Sequence, residues 1–275
     1  MTATGSAAPR QAPRSSVTAL REPLPPSGSA PVRIVRAGVR IAGLAGVIFS
    51  TLGRIRRARR EKTEDARTRA QTLAFRDSAR QVLSVHGIES IASGAEVPVQ
   101  AVLVSNHVSW LDPIVVAAHV PCVPVSKADV LDWPVFGSLA RDLGVVFVSR
   151  GSAGSGASAL RSVRAALDAG ACVLNFPEGT TSEGDDVLPF RPGMFGLALR
   201  AGAPIVPVAI RYEPRSLAWT GDATFVPHYL ALAGSRGARV SVRFGAPIPP
   251  PADGSPRSIA EEARDRVAAL LDGPP

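Results

Sequence analysis

Two short segments of this sequence carry residue types that could move a proton or hold an anion. The first is Asn106-His107-Val108-Ser109-Trp110-Leu111-Asp112-Pro113, directly after the apolar run VPVQAVLVS. Imidazole exchanges protons near neutral pH. A carboxylate five residues on can return to it across a strand-to-helix turn, fix its tautomer and stabilise the imidazolium. His107 and Asp112 are therefore the candidate catalytic pair. Asp112-Pro113 also reads as a helix start, with Asp at the N-cap and Pro at the first helical position. The two roles are compatible.

The second segment, NFPEGTTSEG over residues 175–184, again follows an apolar run, Ala171 to Phe176. Glycines let backbone amides approach a ligand, and the hydroxyls of Thr180, Thr181 and Ser182 can donate to an anion or a polyol. An exposed turn bearing Glu178 is the plainer alternative. Arg150 follows VVFVS, and Arg191 lies in PFRPGMF. Guanidinium groups grip phosphate bidentately, so both suit a phosphorylated acceptor. Lys127, after VPVS, is a weaker candidate of the same kind.

The elements that must position these residues alternate along the chain. VPVQAVLVS, VPVSK, VVFVS, ACVLNF, PIVPVAIR and ARVSVRF read as strands; DPIVVAAHV, WPVFGSLARDL, SALRSVRAALDAG, RPGMFGLALRAG and the closing SIAEEARDRVAALLDG read as helices. This pattern predicts an α/β fold, a mainly parallel sheet covered by helices. In such a fold the chemistry sits at the carboxyl ends of the strands, which is where both segments fall.

Ahead of this domain, expected over residues 84–275, the chain changes character. Residues 1–30 are rich in Pro, Ser and Ala and read as a disordered tail. Residues 31–83 read as a basic helical arm. Its uninterrupted apolar run, Ile41 to Gly53, has 13 residues, whereas a spanning helix needs ~20. Arginines on both sides draw both ends to one face, so the expectation is a helix dipping into one leaflet, with a single span as the alternative. A signal peptide is disfavoured by the long stretch before the apolar core. A second helix is expected over residues 62–83.

The net charge of +8 resides in this arm: residues 1–60 hold 11 Arg and one acid, and the remainder carries −2. Clustered Arg suits either nucleic acid or anionic lipid. No nucleic-acid fold signature is present, so an anionic membrane surface is the expected partner. Cys122 and Cys172 read as buried free thiols, which fits a reducing compartment. No His or Cys spacing suggests a metal site, and no cofactor is expected.

In this order, the segments resemble the lysophospholipid and glycerolipid acyltransferase family, over roughly residues 80–250. NHVSWLD resembles its first block, GVVFVSR its second, FPEGTTSEG with PFRPGMF its third, and APIVPVAI its fourth. The resemblance implies the glycerolipid acyltransferase fold and acyl transfer from acyl-CoA or acyl carrier protein to a lysolipid hydroxyl, with 1-acylglycerol-3-phosphate the first expectation. His107 would be the base, oriented by Asp112, and Arg150, Glu178, Gly179, Thr180 and Arg191 would bind the acceptor. It also implies an enzyme of phospholipid synthesis at the cytoplasmic face of the cell membrane. One position departs: family members acting on lysophosphatidate usually have Arg after Glu-Gly-Thr, and here Thr181 stands there. Similar bacterial relatives acylate lyso-ornithine lipid, which is the main alternative acceptor. A thioester hydrolase is a weaker rival, since no Gly-x-Ser-x-Gly elbow exists. So is a non-enzymatic membrane adaptor.

Overall fold

Runs of Val, Ile and Leu become strands because β-branched and branched side chains fit a pleated surface covered on both faces. In the computed structural model, which describes residues 28–149, 153–220, 223–251 and 254–273, seven strands form one sheet. They are β1 (Ile88–Gly94), β2 (Val102–Ser105), β3 (Cys122–Lys127), β4 (Val146–Val148), β5 (Cys172–Asn175), β6 (Ile205–Glu213) and β7 (Ala238–Phe244), in the order β1-β7-β6-β2-β5-β3-β4. Only β6 with β7 is antiparallel; the other pairings are parallel. The mainly parallel α/β sheet expected from the sequence is what forms. Most of the tail expected over residues 1–30, and Arg150, lie outside the described residues.

The period of two along β2 sorts its side chains between two cores. Val102 and Val104 face Val163 and Leu167 of α5 (Ala153–Asp168), Phe195 of α6 (Gly193–Ala201) and Val267 of α8 (Pro256–Asp272). Leu103 faces the other way, toward Leu83 of α2 (Glu64–His86), Val115 and Val116 of α3 (Asp112–Ala117) and Leu232 of α7 (Phe225–Gly234). Burying each such side chain is worth ~1.5–3 kcal/mol, so the central strand is fixed from both faces. Cys122 and Cys172 are both buried and free, as expected.

The basic arm is a helical hairpin. Helix α1 (Ala30–Ala58) packs on α2 at a close crossing, where a Cβ on Gly43 would stand 2.9 Å from Val85. Thr63 caps α2, accepting from the Ala66 amide, and left-handed Gly87 ends it before β1. The buried face of α1 repeats at helical spacing through Arg40, Leu44, Val47, Thr51, Ile55 and Ala58. Among the described residues no helix is long and apolar enough to cross a membrane. Two arginines of the arm turn inward. Arg40 donates to the carbonyls of Leu232, Ala233 and Ser235 at the end of α7, and Arg36 to those of Gly234 and Ser235.

Candidate active site

The carboxyl ends of β2, β5, β3 and β4 lie side by side, and the loops leaving them build one cleft. Asn106 fixes the first loop. Its side chain donates to Ile210 O at 3.0 Å and accepts from Ile210 N at 2.9 Å, continuing the β2–β6 ladder with a carboxamide in place of a peptide. Backbone bonds from Ser182 N to His107 O and from Trp219 N to Val108 O, each 2.8 Å, clamp the same loop from two sides.

His107 and Asp112 meet: Nδ1 of His107 is 2.7 Å from Oδ2 of Asp112. That oxygen only accepts, so the shared proton sits on Nδ1. Nε2 is left without a hydrogen bond among the described residues. Oδ2 also accepts from the amides of Val108 (2.7 Å) and Ser109 (2.9 Å), and Oδ1 from the hydroxyl of Tyr212 (2.6 Å). Asp112 is fully buried. The expected N-cap role is corrected here: α3 starts at Asp112 itself after Leu111, and the carboxylate bonds amides preceding the helix rather than those within it. Its contacts gather the loop around the imidazole. The His107 ring also stacks on Phe176, centroids 4.3 Å apart. Burial and the neighbouring Asp112 push the Tyr212 hydroxyl well above its ordinary range, so it stays a donor.

His107 opens on a cavity of about 490 Å³. Its lining includes the apolar Val125, Val148, Leu160, Val163 and Met194 together with the polar or charged Lys127, Thr181 and Arg191 and with Gly179. The third-block loop divides its residues between depths. Gly179 takes a left-handed φ of 71°, and a Cβ there would stand 2.9 Å from the Arg191 guanidinium, so glycine is what lets Arg191 lie across the loop. Thr181 donates to Trp219 O, and Ser182 lies against His107 O, so two of the three expected donor hydroxyls face the protein itself. Thr180 is exposed beside the cavity.

Glu178 is not among the residues that line the cavity. It is buried, and neither carboxylate oxygen has a formed hydrogen bond. Burial raises its pKa to about 8, while the nearby amides of Leu188 and His107 oppose the rise without bonding closely. No group of three His, Cys, Asp or Glu able to hold a metal occurs among the described residues.

Asn106 and Tyr212 were visible without an assigned role. Asn106 sits in the quoted motif, and Tyr212 continues the alternation of Val208 and Ile210 on β6. Trp110, inside the quoted motif, lines the cavity with Trp133 and Trp219, which come from separate loops and carry no local signal.

Comparison with known proteins bears on the family and the fold. A sequence profile described as Acyltransferase matches residues 82–211. The chain is 35% identical over 187 residues to a lyso-ornithine lipid O-acyltransferase of Brucella abortus, covering 62% of this chain and 70% of that protein. It is 36% identical over 143 residues to a 1-acyl-sn-glycerol-3-phosphate acyltransferase of Neisseria gonorrhoeae, covering 52% of this chain and 54% of that one. The crystal structure of a 1-acyl-sn-glycerophosphate acyltransferase from Thermotoga maritima superposes with a TM-score of 0.64 at 19% identity, over 88% of this chain and 98% of that one. The fold is thus shared with that enzyme, and from the extent of the Brucella match this chain belongs to the acyltransferase family.

Proposed function

We propose that this acyltransferase moves a fatty acyl group from a thioester, acyl-CoA or acyl carrier protein, to the hydroxyl of a lysolipid held at the cytoplasmic face of a membrane. The observation that carries the reading is the 2.7 Å contact of His107 Nδ1 with a buried carboxylate, which leaves Nε2 for the cavity. In this reaction Nε2 takes the acceptor hydroxyl proton as the oxygen attacks the thioester carbonyl. The tetrahedral intermediate collapses, the C–S bond breaks, and the departing thiolate recovers the proton from the imidazolium. No covalent acyl-enzyme is formed. A positioned base contributes ~10²–10⁴-fold, and holding two substrates together supplies much of the remainder. Residues 31–83 serve as the membrane-associating arm and 84–275 as the acyltransferase domain.

On this reading Arg191 and Gly179, which line the cavity, meet the acceptor together with Arg150 and Thr180. Glu178 supports them. A phosphate acceptor, 1-acylglycerol-3-phosphate, suits Arg191. A second acceptor, lyso-ornithine lipid, is favoured by a specific observation: position 181 offers a threonine whose hydroxyl is already given to Trp219 O. The relatives of that name also match a longer stretch than the Neisseria enzyme. Purified protein offered labelled acyl-CoA or acyl carrier protein with each lysolipid, and product mass as the readout, decides the acceptor. His107→Ala is expected to lose at least ~10²-fold of transfer with fold and vesicle binding intact. Wild-type transfer by that variant would sink the mechanism.

A further inference from the structure

A helix that is apolar all round is normally buried on every side. Helix α1 is apolar all round through its middle, yet its outer face, including Val39, Ile41, Phe49 and Leu52, is exposed, Phe49 at 77%. Helix α7 repeats the pattern. Residues 223–235 hold no Asp, Glu, Lys or Arg, and the face turned from the core carries Val226 (61% exposed) and Leu230 (48%) one turn apart, with Pro227 and Ala231 beside them. The two helices are joined. Arg36 and Arg40 of α1 bond the last carbonyls of α7, while Phe225 and Tyr229 of α7 share an apolar cavity of about 190 Å³ with Leu44, Val47 and Ile48 of α1. The pair therefore runs antiparallel. Phe225 packs in turn on Trp133, at 4.4 Å between centroids, next to exposed Val135.

We infer that α7 is a second leaflet-contacting element, whose Val226 and Leu230 enter the same lipid monolayer as the outer face of α1. This rests on the reading of α1 as membrane-associated. An anionic leaflet is the occupant favoured by charge: exposed Arg33 precedes the apolar stretch of α1, and Arg56, Arg57 and Arg60 follow it. Those arginines complement lipid head groups around an apolar interior. Two copies of the chain meeting through this face would bring the same arginines against one another.

The buried Cys122 and Cys172 make a direct test possible, since an engineered surface thiol can be labelled selectively. An environment-sensitive dye is placed on the full chain by Leu230→Cys, by Ile41→Cys, and, as a control, by Val99→Cys, an 84% exposed position before β2. Vesicles of phosphatidylglycerol and phosphatidylcholine are then added. A blue shift and brightening at positions 230 and 41 but not 99 is expected. A response at 41 alone overturns the inference and leaves the reading of α1 standing; no response at 41 or 230 removes both. The paired change Val226→Asp with Leu230→Asp, at exposed positions, is expected to weaken vesicle flotation about tenfold with transfer to a detergent-dispersed acceptor retained. Unchanged flotation, or loss of a dimer in its place, overturns the inference.

Discussion

Beside His107, the carboxylate that orients the imidazole is held by several donors at once. Oδ2 of Asp112 collects three N–H donors and Oδ1 takes the Tyr212 hydroxyl, so the carboxylate cannot swing away. Glu178, by contrast, is buried with neither carboxylate oxygen hydrogen-bonded. Its carboxyl titrates at about 8 instead of the ordinary 4.5, because burial penalises the charged form. An acid with a raised folded-state pKa lowers stability as pH climbs from its unfolded to its folded value. Between about 4.5 and 8 the unfolded chain releases a proton that the folded chain keeps. Glu178→Gln removes that titration while preserving the shape of the neutral carboxyl. Its melting temperature is expected to rise relative to the parent from acid to mildly alkaline pH, as followed by thermal denaturation; parallel curves for the two proteins would show that Glu178 does not titrate in this window. The sequence exposed His107 and Asp112 because a proton-transfer pair needs particular residue types at a short spacing. It could not reveal that Glu178 is buried, since burial depends on how loops separated in sequence close over one another.

Elements position this chemistry through bonds between strands and helices. Asn106 joins the end of β2 to Ile210 on β6 by a donor and an acceptor together. Asn106→Ala leaves a buried amide and a buried carbonyl unpaired, a cost of roughly 2–4 kcal/mol. Chemical denaturation should register that loss, and transfer should fall with it because His107 is the next residue. A variant as stable as the parent would show that the backbone re-pairs without the carboxamide. The parallel strands were legible because strands buried on both faces read as continuous apolar runs such as Val102–Ser105 and Cys172–Asn175. Two elements were not. Strand β1 (Ile88–Gly94) alternates small and polar residues, is largely exposed, and takes its identity from pairing with β7. The sequence of helix α7 comes shortly after Gly221-Asp222 and contains Pro227, so its local signals resemble a turn. The carbonyls of Ala233, Gly234 and Ser235 at its end are bonded by Arg36 and Arg40, which arrive from nearly 200 residues away in sequence.

At the scale of the whole molecule, charge and apolarity are divided unequally: residues 1–60 hold 11 Arg and one acid, more than the chain's net +8, and the remainder is slightly negative. The structure then redistributes it, since Arg36 and Arg40 are committed to α7 while Arg33, Arg56, Arg57 and Arg60 remain at the surface around the apolar face of α1. Association with an anionic leaflet should therefore have two separable components. The arginine component is screened, because the Debye length shrinks from ~10 Å at 0.1 M salt to ~3 Å at 1 M. The apolar component is not. Raising salt from ~0.05 to ~0.5 M is expected to weaken flotation with phosphatidylglycerol vesicles without abolishing it, while flotation with neutral vesicles stays constant. Binding to anionic vesicles that ignores salt would mean the exposed arginines do not meet the head groups. Complete release at high salt would mean the apolar face of α1 does not enter the lipid, and the lysolipid would then have to leave the bilayer to reach His107.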